Sequence, residues 1–255
     1  MSVKVEQHSD VAVITLDRQE ALNALSFAII DEIERAIERV AGMGVRALLV
    51  TGAGAKAFCA GADIKELRER TLDAQRRGIE RGQAVFARLD TLPVASVALI
   101  NGYAFGGGLE LALACTFRLA TRNAKMGLPE IKLGLTPGYG GTQRLPRVIG
   151  EARALEMILT GRTVDAEEAQ RIGLVNRLID GDPLEAGLAF AREFTGYSLP
   201  VLRFAREAVQ RALDVPVNEG LKLEADLGTL AYRTADAEEG MAAFSEKRKP
   251  VFRDA

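Results

Sequence analysis

A repeated local pattern constrains the fold of this chain most strongly: an apolar segment runs into a glycine-containing loop and then into a helix. VRALLVTG (45–52) leads into the loop GAGAKAFCAGAD, and PVASVALI (93–100) leads into NGYAFGGG and the helical segment LELALAC. Continuous apolar runs of this length are typical of strands that are covered on both faces of a sheet. The repeat therefore predicts an α/β core in which each unit brings a loop to one edge.

The segments around this repeat predict how the chain is divided. VAVITL (11–16) is expected to be a strand that precedes an amphipathic helix, with Ser26 as its N-cap. Residues 64 to about 90 are expected to form one helix, and the sequence is mostly helical in pattern after Gly150. We therefore expect a core at residues 1–195 and a helical region at residues 196–255.

Composition excludes several classes of function. The 255 residues carry a net charge of -2, which favours neither nucleic acid nor an anionic membrane as a partner. His8 is the only histidine, so Ser-His-Asp or Cys-His catalysis and histidine-rich zinc sites are not expected, and we predict no metal and no cofactor. Cys59 and Cys115 form no CxxC pair, and no secretory leader is evident, so a cytoplasmic location is expected.

Two common glycine motifs do not explain the loops. Gly52, Gly54 and Ala57 match the dinucleotide fingerprint G-x-G-x-x-G/A, but the required second strand is replaced by a charged helical segment. No G-x-S-x-G elbow or Gly-Lys-Ser/Thr sequence is present, which argues against hydrolases and P-loop proteins.

Two glycine-containing loops, AGAD (60–63) and GGG (106–108), each open a predicted helix. Helix starts expose unpaired N–H groups, so two that converge can bind one developing oxyanion. The alternative is purely structural, with Asp63 and Glu66 forming a D-x-x-E capping arrangement and the glycines allowing close packing. The residues themselves leave both interpretations open.

Two glutamates stand in apolar surroundings. Glu110 lies in the segment GLELALAC, whose apolar residues cover every face of a helix, so we expect burial to raise its pKa toward neutrality. Glu130 lies in MGLPEIKLGL and is a candidate for acid–base catalysis or for stabilising a helix start.

Five ordered segments together give the chain a clear resemblance to the enoyl-CoA hydratase/isomerase family, with its crotonase fold. The matching segments are ALNALS (21–26), KAFCAGADIKEL (56–67), NGYAFGGGLELALAC (101–115), AKMGLPEIKLGLTPGYGGTQRLPRVIG (124–150) and GMAAFSEKRKPVF (240–252). The resemblance implies an α/β spiral of ββα units with a C-terminal helical trimerisation region. It also implies homotrimers, or hexamers that are dimers of trimers, and a role in fatty acid β-oxidation.

The same resemblance assigns roles to individual residues. The N–H groups of Ala62 and Gly107 are expected to form an oxyanion hole for a thioester carbonyl. Glu110 is expected to be the base toward water, Glu130 the acid that protonates C2, and Gly138 a backbone position that helps to hold the water. The residues expected to contact CoA are Ala21, Leu22, Ala24, Ile64, Lys65, Phe244 and Lys247.

The implied activity is addition of water across the 2,3-double bond of a 2-enoyl-CoA thioester, with an acyl-CoA as the small-molecule partner. An isomerase would need only one shuttling carboxylate, at the position of Glu130, so the presence of Glu110 favours hydration. A hydratase of branched or dicarboxylic enoyl-CoA, of the methylglutaconyl type, would use the same machinery. A non-catalytic scaffold is the remaining alternative. The presence of the expected oxyanion-hole residues and of both glutamates argues against it; these are Ala62, Gly107, Glu110 and Glu130.

Overall fold

The structure is a computed structural model, and it describes residues 2–255. The strands are β1 (Val3–His8), β2 (Val11–Leu16), β3 (Ala47–Gly52), β4 (Ala57–Cys59), β5 (Ala95–Ile100), β6 (Tyr103–Phe105), β7 (Phe117–Thr121), β8 (Lys125–Gly127), β9 (Thr163–Asp165) and β10 (Arg177–Ile179).

The helices follow the strands in alternation and then dominate the end of the chain. They are α1 (Phe27–Ala41), α2 (Ile64–Leu67), α3 (Leu72–Thr91), α4 (Gly107–Ala114), α5 (Gly141–Ile149), α6 (Glu151–Thr160), α7 (Ala166–Arg171), α8 (Pro183–Thr195), α9 (Leu199–Arg211), α10 (Val217–Ala231) and α11 (Ala235–Ser245). No helix in the described part of the chain combines the length and apolarity needed to cross a membrane.

From β3 to β8, successive strands alternate between two sheets. One sheet has the order β1-β2-β3-β5-β7-β10, with β1 antiparallel to β2 and the other neighbours parallel. The other has the order β4-β6-β8-β9 and is parallel except for β8 with β9. In this range each turn of the chain adds one strand to each sheet before a helix follows, which confirms the predicted ββα units.

Contacts divide the chain into two units, one ending at Ala189 and the other spanning Phe190–Ala255. The predicted boundary of the core at residue 195 lies slightly later, within α8. In the second unit, the N–H groups of Arg253 and Asp254 donate to the buried carboxylate of Asp236 at 2.7 and 2.9 Å. These bonds fix the end of the chain to the start of α11.

Helix α1 forms as the sequence predicts. The Ser26 hydroxyl accepts the N–H of Ile29 at 3.2 Å and so caps the first turn. The side chains that recur every three or four residues are buried, and they are Ile29, Ile30, Ile33, Ala36, Ile37 and Val40.

The prediction of a single helix over residues 64 to about 90 is wrong, because the structure divides this segment into α2 and α3. The backbone is extended at Arg68, and Glu69 has a φ of 59°. Thr71 then caps a new helix by accepting the N–H of Ala74 at 3.2 Å. The polar sequence RERT therefore contains both a helix end and the next N-cap.

Candidate active site

The loop before α4 exposes a backbone donor at Gly107. Gly106, the N-cap, has φ 49° and ψ −126°, a conformation that is strained for residues with a Cβ. Its N–H donates to Gly127 O at 3.0 Å, and its carbonyl accepts the N–H of Glu110 at 3.0 Å. The N–H of Gly107 lies in the first helical turn and donates to no group in residues 2–255.

A second unpaired donor lies at Ala62. Leu25 bonds to the residues on both sides of Ala62. Its N–H donates to Gly61 O, and its carbonyl accepts the N–H of Asp63, both at 2.8 Å. This pattern leaves the Ala62 N–H without an acceptor in the described chain. A methyl group at Gly61, where φ is 107°, would lie 3.7 Å from Gly107 N. The two unpaired donors therefore come from neighbouring backbone segments.

The predicted D-x-x-E capping arrangement forms only in part. Asp63 is the N-cap of α2, and its carboxylate accepts the N–H of Lys65 at 3.2 Å. The Glu66 carboxylate does not accept the N–H of Asp63, which donates to Leu25 O, and it accepts the N–H of Phe27 at 2.7 Å instead. Glu66 thereby links α2 to the start of α1.

Glu110 is buried in α4, with 1% of its surface exposed. Its Oε1 accepts the N–H groups of Tyr139 and Gly141 at 2.8 and 2.7 Å, while Oε2 accepts no hydrogen bond within residues 2–255. Burial raises the pKa of Glu110 to about 7, against the lowering effect of the Gly141 N–H, and the charge of Glu130 raises it further. The expected burial is therefore present, and the carboxyl titrates near neutral pH.

Glu130 lies in a short 3-10 turn, Pro129–Leu133, that follows β8. A methyl group at Gly106 would lie 2.9 Å from Glu130 Oε1, which places this carboxyl at the start of α4. Its Oε2 is buried without a hydrogen-bond partner among the described residues. Burial raises the pKa of Glu130. The structure thus brings Glu110, Glu130 and Gly107 together.

Helix α3 holds the loop that contains Gly138 at two points. Gln83 Nε2 of α3 donates to Gly138 O at 2.8 Å. Asp90, near the end of the same helix, forms a 2.6 Å ion pair with Arg144 of α5. The positive charge of Arg144 also acts to lower the pKa of Glu110. Sequence reasoning missed Gln83, Asp90 and Arg144, although the TQR that follows the glycine pair was a visible signal for the last of them.

The expected CoA-contacting residues fall in three places. Ala21, Leu22 and Ala24 lie in the turn before α1, and Ile64 and Lys65 begin α2. These two segments are neighbours, because the N–H of Ala60 donates to Leu22 O at 3.0 Å. Phe244, which is 87% exposed, and Lys247 lie in the second unit. Their role in binding CoA stays a prediction, as do those of the other residues in this set.

A buried amide that the sequence analysis did not single out shapes the first of these segments. Asn23 Oδ1 accepts the N–H of Arg18 at 3.0 Å, and its Nδ2 donates to Ala53 O and Ala57 O. Arg18 itself pairs with Asp63 at 2.9 Å. The signal was an amide in an otherwise apolar ALNAL, where a buried polar group needs partners.

The chain is similar over nearly its whole length to one known protein family and to individual members of it. The sequence profile of the enoyl-CoA hydratase/isomerase family matches residues 6–255. A probable enoyl-CoA hydratase of Mycobacterium bovis is 44% identical over 254 residues, covering 98% of this chain and 97% of that protein. A short-chain-enoyl-CoA hydratase of Clostridium acetobutylicum is 38% identical over 251 residues, covering 97% and 96%.

Solved structures agree with the sequence comparison. The crystal structure of an enoyl-CoA hydratase from Bacillus anthracis has a TM-score of 0.95 and 36% identity, and the match covers 100% of both chains. One from Geobacillus kaustophilus has a TM-score of 0.94 and 39% identity, covering 100% of this chain and 99% of that one. These similarities confirm the predicted family resemblance and the predicted crotonase fold.

Proposed function

Because the chain belongs to the enoyl-CoA hydratase/isomerase family, we propose that it adds water across the 2,3-double bond of a 2-enoyl-CoA thioester. The product would be a 3-hydroxyacyl-CoA. The observation that carries the proposal is the pair of carboxyls formed by the buried Glu110 and the half-buried Glu130, beside the unpaired N–H of Gly107.

The N–H groups of Ala62 and Gly107 support binding of the thioester oxygen. Attack of water at C3 moves electron density onto that oxygen, and two preorganised donors stabilise the charge as it develops. Because neither donor has an acceptor within residues 2–255, no protein hydrogen bond must be broken to admit the carbonyl.

The surroundings of the two carboxyls support a division of roles. Two N–H groups favour the ionised form of Glu110, and its open Oε2 can take a proton from water as the oxygen attacks C3. The Oε2 of Glu130 is buried without a hydrogen-bond partner among residues 2–255, and burial raises the pKa of Glu130. Because two like charges disfavour ionisation of both carboxyls, the pair can hold one proton, which Glu130 would deliver to C2. Water supplies the hydroxyl at C3, and the proton that Glu110 gains balances the one that Glu130 gives.

The test is incubation of the purified protein with crotonyl-CoA while the absorbance of the conjugated thioester is followed. We expect the absorbance to fall and 3-hydroxybutyryl-CoA to form. No loss with any short- or medium-chain 2-enoyl-CoA would overturn the proposal. Conversion of a 3-enoyl-CoA to the 2-enoyl isomer without hydration would instead support an isomerase.

We propose further that the chain assembles as a homotrimer, or as a hexamer of two trimers. Large apolar side chains are exposed in the second unit, and they include Val209, Leu213, Val217, Leu221, Tyr232 and Phe244. Exposed apolar residues in this number support burial against other copies. Analytical ultracentrifugation should give three or six times the chain mass, and a monomer would contradict the assembly.

A further inference from the structure

We propose that Arg70 binds a carboxylate at the far end of the acyl chain, so that the preferred substrates are 2-enoyl-CoA thioesters of dicarboxylic acids. This inference rests on the proposed function and names its substrate class. It concerns the short connection between α2 and α3, which no step of the hydration chemistry uses.

Arg70 has an unsatisfied donor. Its guanidinium carbon lies 4.1 Å from the centroid of the Phe27 ring, and Nη2 donates to Ala74 O at 2.6 Å. Its Nε is buried and has no hydrogen-bond partner among residues 2–255. A desolvated, unpaired guanidinium N–H is costly, and a carboxylate is the partner whose geometry matches it best.

The first three arginines of α3 are already paired. Arg76 bonds to Glu80, Arg77 to Asp73, and Arg81 to both Asp31 and Glu34, whereas Arg70 forms no salt bridge within the described chain. Glu66, the acidic residue of α2, is engaged by the N–H of Phe27. The positive charge of Arg70 is therefore not neutralised by a protein carboxylate.

One face of α3 connects Arg70 to the oxyanion donors. A methyl group at Gly78 would contact the Phe27 ring and lie 3.3 Å from Arg70 Nη2. One turn later, a methyl at Gly82 would overlap the Tyr139 ring, and a methyl at Gly107 would lie 3.2 Å from that same ring. Gly78 and Gly82 are about 6 Å apart along the helix, so Arg70 lies roughly one helical turn beyond Tyr139.

A further observation places the charge of Arg70 near Tyr139. Burial raises the pKa of Tyr139 to about 12, and the charge of Arg70 acts in the opposite direction, so this cation is within Coulombic reach of the phenol. A purely hydrocarbon chain would leave the buried Nε of Arg70 unsatisfied.

The experiment compares three substrates. Crotonyl-CoA reports hydratase activity alone, trans-glutaconyl-CoA carries the terminal carboxylate, and 5-methyl-2-hexenoyl-CoA replaces that carboxylate with an isopropyl group of similar shape. We expect the wild-type protein to have a kcat/KM at least tenfold higher for glutaconyl-CoA than for its isostere. This ratio needs no variant and so does not depend on the folding of a mutant.

Variants then assign the preference to Arg70. Arg70→Met should lower the glutaconyl-to-isostere ratio by about ten- to a hundredfold, the effect of losing a hydrogen bond to a charged group. Arg70→Lys should retain part of the ratio, because it keeps the charge but not the planar fork. Arg68→Met, at an exposed position two residues away, is the matched control and should leave the ratio unchanged.

The outcomes separate the two proposals. Hydration of crotonyl-CoA with a wild-type preference for the isostere, or with a ratio that Arg70→Met does not lower, would overturn the role of Arg70 while the hydratase activity stands. Failure to hydrate any of the three substrates would overturn the proposed function, and the substrate class with it.

Discussion

The N–H of Gly141 donates a 2.7 Å hydrogen bond to Oε1 of Glu110, which ties the first turn of α4 to the first residue of α5. The bond holds Oε1 of Glu110 against the backbone of α5 and leaves Oε2 to contact a reactant. It also counteracts burial, which by itself favours the neutral acid. This opposition holds the pKa of Glu110 near 7.

Replacing either carboxyl by its amide should remove acid–base catalysis. We expect Glu110→Gln and Glu130→Gln each to lower kcat for crotonyl-CoA by about 10²–10⁴-fold, because neither amide can exchange a proton with water or C2. Steady-state kinetics measures the loss, and titration calorimetry with a saturated acyl-CoA should show that binding is largely retained. Glu151→Gln, exposed at the start of α6, is the control. A near-normal rate in either site variant would show that the acid–base groups are misassigned.

The rate should depend on pH through Glu110. Only the ionised carboxylate can accept a proton from water, so kcat/KM should rise with pH around a midpoint of about 7. Arg144 acts to lower this pKa, so Arg144→Met should move the midpoint to higher pH. Arg171→Met, an exposed position in α7, should not move it. An unchanged midpoint in Arg144→Met would show that Arg144 does not lower the pKa of Glu110.

Stability should depend on pH in the opposite sense. The folded protein holds the proton of Glu110 more tightly than the unfolded chain, between the ordinary pKa of 4.5 and about 7. The free energy of unfolding therefore falls as pH rises through this window. Urea unfolding measures the free energy of unfolding of Glu110→Gln minus that of the wild type. This difference should be about 2 kcal/mol higher at pH 8 than at pH 5. An equal difference at the two pH values would contradict the raised pKa.

The oxyanion donor at Gly107 can be removed without breaking a hydrogen bond of the helix. Gly107 is the first residue of α4, the position at which helices accept proline, which has no N–H. Gly107→Pro should lower kcat by about 10²–10³-fold relative to Gly107→Ala, which adds a similar side-chain contact to Leu25 and Tyr139 but keeps the donor. Equal rates in the two variants would mean that this N–H does not bind the thioester oxygen.

The α/β units and α1 were predictable from sequence because they depend on local periodicity and caps. Ser26 is an example, since its N-cap role needs only the residues that follow it. The break between α2 and α3 was missed because a helical charge pattern continues across Arg68 and Glu69, and the Thr71 cap is a weak signal within it.

The site was predictable only in part, for a related reason. The burial of Glu110 follows from its apolar neighbours in α4, so the sequence indicated it. The partners that set its charge, Tyr139, Gly141 and Arg144, lie about 30 residues away in sequence, and only the tertiary fold brings them to it. Arg70 shows the same limit, because its lack of a partner cannot be read from a segment rich in both arginine and acidic residues.

The central claim is that this chain hydrates a 2-enoyl-CoA with two glutamates, and isotope incorporation tests it most directly. The protein is incubated with crotonyl-CoA in ¹⁸O-labelled water and in D₂O, and the product is analysed by mass spectrometry. We predict 3-hydroxybutyryl-CoA with ¹⁸O at C3 in the first solvent and deuterium at C2 in the second, formed by the wild type and at strongly reduced rates by Glu110→Gln and Glu130→Gln. Unlabelled crotonyl-CoA recovered unchanged, or labelled product formed at equal rates by all three proteins, would contradict the account.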